Sequence, residues 1–264
     1  MDLNLKGKKA LITGSSSGIG EGIAKCLARE GAEVMVQGRR VKELQRVVKE
    51  IVANGGIAYY VEGDLTKDND AKNVAEKTLE KLQQVDILVN NAGAFPKRGW
   101  MEGTPKDWLD LFNVNTVAMV RMIQLLLPQM KKLGWGRIIQ ISSVAGISAS
   151  PSMPDYGATK ATIINMTISL AKDLAGTGIT VNTVSPGPIV TGGAKTLFEN
   201  IASEKNWGSD WKEIEKNVTA EILPNIAKRF GTPEEVGDLV AFLASPLANF
   251  ITGVNYIIDG GRLI

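Results

Sequence analysis

The sequence predicts a single α/β domain, a doubly wound parallel sheet of seven strands with helices on both faces. Three observations carry that prediction. Short apolar runs alternate with amphipathic helical stretches along the chain, and such alternation implies right-handed crossovers and a parallel sheet. The unusual residues, glycines, asparagines and arginines, gather where those runs end, at the carboxyl ends where such sheets hold their ligands. The length of 264 residues, 44% hydrophobic and 22% charged, suits one large domain with a substantial core.

The elements follow in order. KKALIT reads as a buried strand and runs into Gly14-Ser15-Ser16-Ser17-Gly18-Ile19-Gly20. A helical pattern through Ile23, Ala24, Leu27 and Ala28 comes next, closed by Gly31. Strand, glycine loop and helix form a phosphate site: glycines let the backbone approach a pyrophosphate, and the helix start supplies N–H groups and positive dipole. EVMVQGRR is the second strand, ending at Gly38-Arg39-Arg40. A NAD site would place a carboxylate there for the ribose hydroxyls, whereas arginine suits a 2′-phosphate.

VKELQRVVKEIVAN is a helix, and IAYYVEGDL is a third strand ending at Asp64-Leu65. DNDAKNVAEKTLEKL is a helix, and VDILVNNAGA is a fourth strand running into Asn91-Ala92-Gly93. From about Pro105 to Leu133 the spacing predicts one long helix containing Asn115. Leu109, Phe112, Val117, Val120, Ile123 and Leu127 give it an apolar stripe, and further apolar residues leave little of its circumference polar. RIIQIS is a strand, and a second helix, apolar on several faces, runs from Tyr156 to about Ala175. Helices apolar on more than one face are buried on more than one face, so a homotetramer is expected.

GITVNTVSPGPIVT is the sixth strand, broken at Pro186-Gly187 and leading to Ile189 and Thr191. Residues 192–222 then read as a long, irregular insertion, expected to act as a lid over the substrate. FGTPEEVGDLVAFLAS is a helix and VNYIIDGG the last strand. Loops 94–104, 147–154 and 188–222 surround the predicted substrate position and offer Phe95, Trp100, Met153, Leu197, Phe198 and Trp207.

Between Ser143 and Lys160 lies the stretch with the most chemistry. Tyr156 follows Ser143 by thirteen residues, and Lys160 stands one helical turn further on the same face. Pro154 suits a first turn, with Ser152 or Asp155 as caps. A lysine ammonium a turn away favours the phenolate, so the tyrosine could exchange a proton with an alcohol or carbonyl oxygen. Ser143 could bond the same oxygen.

Composition narrows the chemistry. The chain has no histidine, which removes Ser–His–Asp hydrolysis and most zinc sites, and no metal site is expected. Cys26 is the sole cysteine and reads as a small buried helix residue. A net charge of +2 gives no footprint for nucleic acid or an anionic membrane. MDLNLKGKKALITG has no apolar signal core and no run was expected to span a membrane, so the cytoplasm is the expected location.

TGSSSGIG at 13–20, NNAG at 90–93, Ser143, Tyr156-Gly-Ala-Thr-Lys160 and Pro186-Gly187 occur together and in order. Tyr-x-x-x-Lys alone is weak, but the set jointly resembles the short-chain dehydrogenase/reductase family over essentially the whole chain. The resemblance implies a Rossmann domain, a nicotinamide cofactor and an NADP(H)-dependent exchange between ketone and secondary alcohol. It implies Tyr156 as general acid/base, with Ser143 placing the substrate oxygen. Lys160 would lower the Tyr156 pKa and hold the nicotinamide ribose, and Asn115 would kink its helix and anchor a water in a proton relay. It further implies cofactor contacts from Gly14, Ser16, Ser17, Gly18, Ile19 and Gly20, and from Asn91, Ala92 and Gly93. Asp64 and Leu65 would flank the adenine, while Pro186, Gly187, Ile189 and Thr191 would meet the carboxamide end. Ser142 fits the stretch as well, but the thirteen-residue spacing favours Ser143.

NADP-type members often carry a basic residue where this chain has Ser17. That leaves Arg39, with Arg40 beside it, as the argument for NADP(H) over NAD(H). The sequence is also similar to 3-oxoacyl-(acyl-carrier-protein) reductases. Their carrier-docking arginine has no counterpart in Ala175-Gly176-Thr177-Gly178, so that reading stands second. A catalytically silent dinucleotide sensor or scaffold is the rival from another class, and an isomerase or dehydratase with bound cofactor is a third.

Overall fold

In the computed structural model, which describes residues 2–264, seven parallel strands lie in the order β3-β2-β1-β4-β5-β6-β7. They are β1 (Lys9–Ile12), β2 (Glu33–Gly38), β3 (Ile57–Glu62), β4 (Ile87–Asn90), β5 (Gly136–Ile141), β6 (Ile179–Pro186) and β7 (Asn255–Ile258). The order runs outward both ways from β1 and β4, so the crevice between their carboxyl ends is the switch point where such folds bind ligands. Central strands are buried on both faces, which is why they read as continuous apolar runs.

Helices cover the two faces. On one side α1 (Gly18–Arg29), α2 (Val41–Ala53) and α9 (Pro233–Ala244) enclose a core that includes Ile12, Ile23, Val36, Val89, Ile141 and Val240. Cys26 lies buried between α1 and α9, and burial pushes its thiol up to about 12, so it is inert as a nucleophile. On the other side α3 (Asp68–Leu82), α5 (Ala118–Leu133) and α6 (Pro154–Asp173) close over Leu11, Val74, Leu88, Met122, Leu126 and Ile138.

The helix expected over 105–133 is divided. Residues Pro105–Phe112 form α4, Asn113–Val117 form a π turn, and α5 follows. A π turn inserts one residue into the helical register and shifts the buried face: Leu109 and Val117 are exposed, while Met119, Met122, Leu126 and Met130 are buried. By length and hydropathy this whole stretch could cross a membrane, contrary to the sequence expectation. Its buried face is spent on the sheet instead.

Two further expectations change. Helix α6 starts at Pro154 and not at Tyr156, and its N-cap is Met153, with no side-chain bond from Ser152 or Asp155 to the cap. Segment 192–222 is not irregular. It holds α7 (Gly192–Glu204) and α8 (Trp211–Glu221), joined around Phe198, Ala202, Ile214, Val218 and Phe230. Tryptophans 207 and 211 pack on that cluster, and these aromatics made the stretch look unlike an amphipathic helix.

Candidate active site

The glycine loop and the loop after β4 are locked together at the switch point. Gly14 has φ +63°, and a Cβ there would stand 2.7 Å from the Ala92 Cα. At Gly20 a Cβ would fall 2.5 Å from the Asn91 side-chain nitrogen. No larger residue fits either place. The Asn91 amide donates to the carbonyls of Thr13 (2.9 Å) and Gly14 (3.1 Å), and the Thr13 hydroxyl accepts from the N–H groups of Asn91 (2.9 Å) and Ala92 (3.0 Å). A flat surface of backbone results, with Gly18, Ile19 and Gly20 opening α1 and Gly93 exposed beside it. Such a cradle ending in a helix N-terminus fits a pyrophosphate.

Gln37 is a residue the sequence reading missed. Its side chain accepts from Gly14 N–H (3.1 Å) and donates to Gly63 O (2.8 Å), so it ties the loops after β1 and β3. A glutamine inside an apolar strand was the available signal.

Beyond β2 the two arginines diverge. Arg40 donates from Nη2 to the hydroxyls of Ser17 (3.0 Å) and Ser16 (3.3 Å), at the mouth of the glycine loop. Arg39 lies toward β3, in a groove it shares with Asp64 and Tyr60. The Asp64 carboxylate accepts from the Thr66 hydroxyl (2.8 Å) and N–H (3.1 Å). Burial works to raise its pKa, but the Thr66 bonds and the Arg39 charge outweigh it and hold Asp64 below the usual value. Leu65 beside it is buried.

Ser143, Tyr156 and Lys160 meet at the carboxyl end of β5. Ser143 caps a short 3₁₀ turn, Val144–Gly146, its hydroxyl accepting from Ala145 N–H (3.2 Å). Burial raises the Tyr156 pKa, and the neighbouring Ser143 hydroxyl draws it back only in part. The expected depression by Lys160 is absent. Lys160 Nζ instead donates to the Ile141 carbonyl (2.9 Å) and lies 5.7 Å from the centre of the Tyr156 ring. Desolvation lowers Lys160 to about 8, which leaves it charged at neutral pH. Ser142 is structural, as its hydroxyl donates to Lys160 O (2.7 Å) deep in the interior.

Asn115 sits in the π turn, fully buried. Its carbonyl oxygen accepts from Ala94 N–H (2.7 Å), and its amide donates to Ala94 O (2.9 Å) and to the Thr159 hydroxyl (3.0 Å). Both amide hydrogens are therefore committed, and the side chain clamps the Ala94 backbone to Thr159. Thr159, unmarked in the sequence, passes the link on by donating to Tyr156 O (2.8 Å).

Around this centre, Pro186 ends β6 and Gly187 packs on Asp259, while Ile189 bridges to Gly231. Thr191 caps α7 and contacts Gly18, so the loop from β6 reaches the glycine loop. Phe95 stands edge-on to Tyr156 at 6.5 Å between ring centres, and Leu197 is exposed on α7. Phe198 and Trp207 serve the α7–α8 core, and Trp100 stacks with Trp108.

The family model for short chain dehydrogenases matches residues 8–202. The chain belongs to the short-chain dehydrogenase family. A Bacillus subtilis relative, the uncharacterized oxidoreductase YvrD, is 37% identical over 262 residues, covering 99% of this chain and 98% of that protein. The 3-oxoacyl-[acyl-carrier-protein] reductase FabG of Aquifex aeolicus is 36% identical over 262 residues and 99% of both chains. Among solved structures, L-sorbose reductase from Gluconobacter frateurii, complexed with NADPH and L-sorbose, superposes with a TM-score of 0.93. It is 33% identical and matched over 100% of this chain and 99% of that one. The seven-stranded parallel sheet is thus the fold of a short-chain dehydrogenase.

Proposed function

We propose that the protein is an NADP(H)-dependent oxidoreductase that interconverts a ketone and a secondary alcohol. One observation carries this reading: Ser143, Tyr156 and Lys160 lie together at the carboxyl end of β5, linked through Thr159, Asn115 and Ala94 to the loop whose Asn91 holds the glycine cradle. NADP(H), when bound, supplies or accepts the hydride. Gly14, Gly18 and Gly20 hold its pyrophosphate, and Arg40 and Arg39 with Ser16 and Ser17 take the 2′-phosphate. Asn91, Ala92 and Gly93 back it, Asp64 and Leu65 flank the adenine, and Pro186, Gly187, Ile189 and Thr191 meet the carboxamide.

The protein's own residues handle the proton. In reduction the Tyr156 hydroxyl gives its proton to the substrate oxygen as the carbonyl becomes an alkoxide, and the Ser143 hydroxyl donates a hydrogen bond to the same oxygen. In oxidation the proton returns to Tyr156. Like any phenol, Tyr156 is protonated at neutral pH, the form that reduction needs. The Lys160 ammonium, held by the Ile141 carbonyl, reaches the ribose. Asn115, through Thr159 and Ala94, holds the turn that presents Tyr156. Helices α7 and α8 cover the substrate, next to Phe95 and Leu197.

The test is NADPH oxidation against simple ketones, keto sugars and ketoacyl thioesters. Ketone- or keto sugar-dependent oxidation supports the reading, and none across the panel would count against it. The full-length likeness to FabG makes a 3-oxoacyl thioester the second reading. The uncharged Ala175–Gly178 stretch favours a free substrate.

The enzyme is further proposed to be a cytoplasmic homotetramer. Leu109, Val117 and Leu133 on α4–α5 and Ile168 on α6 are each at least 40% exposed, an apolar surface suited to packing against a second copy about a two-fold axis. Sedimentation at micromolar concentration should give four times the 28.3-kDa chain mass. A 28.3-kDa species would refute the tetramer.

A further inference from the structure

Asp155 directly precedes Tyr156 and is only 1% exposed. A carboxylate so buried needs a partner. Its Oδ1 accepts the Tyr156 N–H at 2.8 Å, and its Oδ2 accepts from Arg98 Nη2 at 2.8 Å. Arg98 comes from the loop after β4, 57 residues earlier. The other arm of its guanidinium, Nη1, donates to Asp107 Oδ1 at 2.5 Å. Asp107 is itself fixed, closing a capping box with Thr104 at the start of α4. One side chain therefore joins three pieces: the loop that carries Phe95, the first turn of α4, and the first turn of α6.

We infer that Arg98 is a positioning residue for proton transfer, acting through Asp155 to set the turn that presents Tyr156. The inference rests on the reading of Tyr156 as general acid. Helix α6 begins at Pro154 without a side-chain cap, so nothing at its cap fixes the entry of the chain. The Arg98–Asp155 pair takes that place: the carboxylate lies on the positive end of the helix and holds the N–H of the catalytic residue itself. The same arginine anchors the loop whose Phe95 ring stands edge-on to the phenol, so the acid and the aromatic wall beside it keep a common reference. The cofactor cradle at Gly14–Gly20 and Asn91 has bonds of its own and does not involve Arg98.

The split between turnover and cofactor binding tests this. In Arg98→Met, kcat should fall about 10- to 100-fold, the size of loss a displacement near 1 Å can cause, while the NADPH dissociation constant stays within about twofold. Arg98→Lys keeps the charge but loses the two-armed fork, and should recover part of the loss. In Arg98→Met/Asp155→Asn the buried charge is gone as well, so the double variant should lose less than the product of the two single losses. Parental kcat in folded Arg98→Met would overturn the inference, as would kcat and NADPH affinity falling together. If Arg98→Met does not fold, parental kcat in both Arg98→Lys and Asp155→Asn would overturn it. Tyr156→Phe measured alongside separates the failures. Its inactivity beside a fully active Arg98→Met rejects the clamp alone, whereas its activity rejects the catalytic reading.

Discussion

Tyr156→Phe is expected to fold, to bind NADPH as the parent does, and to turn over ketone about 10²- to 10⁴-fold more slowly. The phenol oxygen is the only atom removed, and it matters only where charge develops on the substrate oxygen. The ring keeps its edge-on contact with Phe95 and its place over Lys160. Loss should therefore appear in kcat and kcat/KM together, with the NADPH dissociation constant unmoved. Full activity would remove Tyr156 from the chemistry. Lys160→Ala should differ in kind, weakening the cofactor as well as turnover, because Lys160 is the residue proposed to hold the ribose.

The second large effect concerns the cofactor. The parent should prefer NADPH over NADH, and Gly38→Asp combined with Arg39→Ala and Arg40→Ala should invert the preference, mostly through KM. A charge-assisted bond from a guanidinium to a phosphate contributes roughly 1.5–3 kcal/mol, about ten- to a hundredfold in affinity. The structure divides the labour: Arg40 already touches Ser16 and Ser17, while Arg39 looks toward Asp64. Arg40→Ala alone should thus cost NADPH at least as much as Arg39→Ala, and neither should weaken NADH much. Gly38 is buried beside Ser16, so an aspartate introduced there would stand against the loop serines proposed to take the 2′-phosphate. A parent that favours NADH would make both arginines surface residues.

What the sequence disclosed followed from period and punctuation. All seven strands lie where apolar runs were read, most of them ending at glycine, asparagine or proline and β5 at Ser142-Ser143, because burial on both faces and backbone turns leave a local mark. The π turn left none, since in a helix apolar on several sides a face shifted by one residue is still apolar. Helices α7 and α8 were obscured by their tryptophans and glycines, whose pattern makes sense only around Phe230, which lies after α8 in the chain. The direction of the Tyr156 shift was misread because i,i+4 spacing gives proximity alone. Burial of the phenol and the Ile141 carbonyl that takes up Lys160 are tertiary facts. Which of two adjacent arginines meets the glycine loop, and that Arg98 pairs with Asp155, depend likewise on how distant loops meet.

The most direct measurement is transfer of label from NADPH dideuterated at nicotinamide C4 to a ketone of the panel. Hydride chemistry at this site predicts an alcohol carrying one deuterium on its carbinol carbon for each NADPH consumed. Substrate conversion without NADPH consumption, or an alcohol without the label, would contradict it.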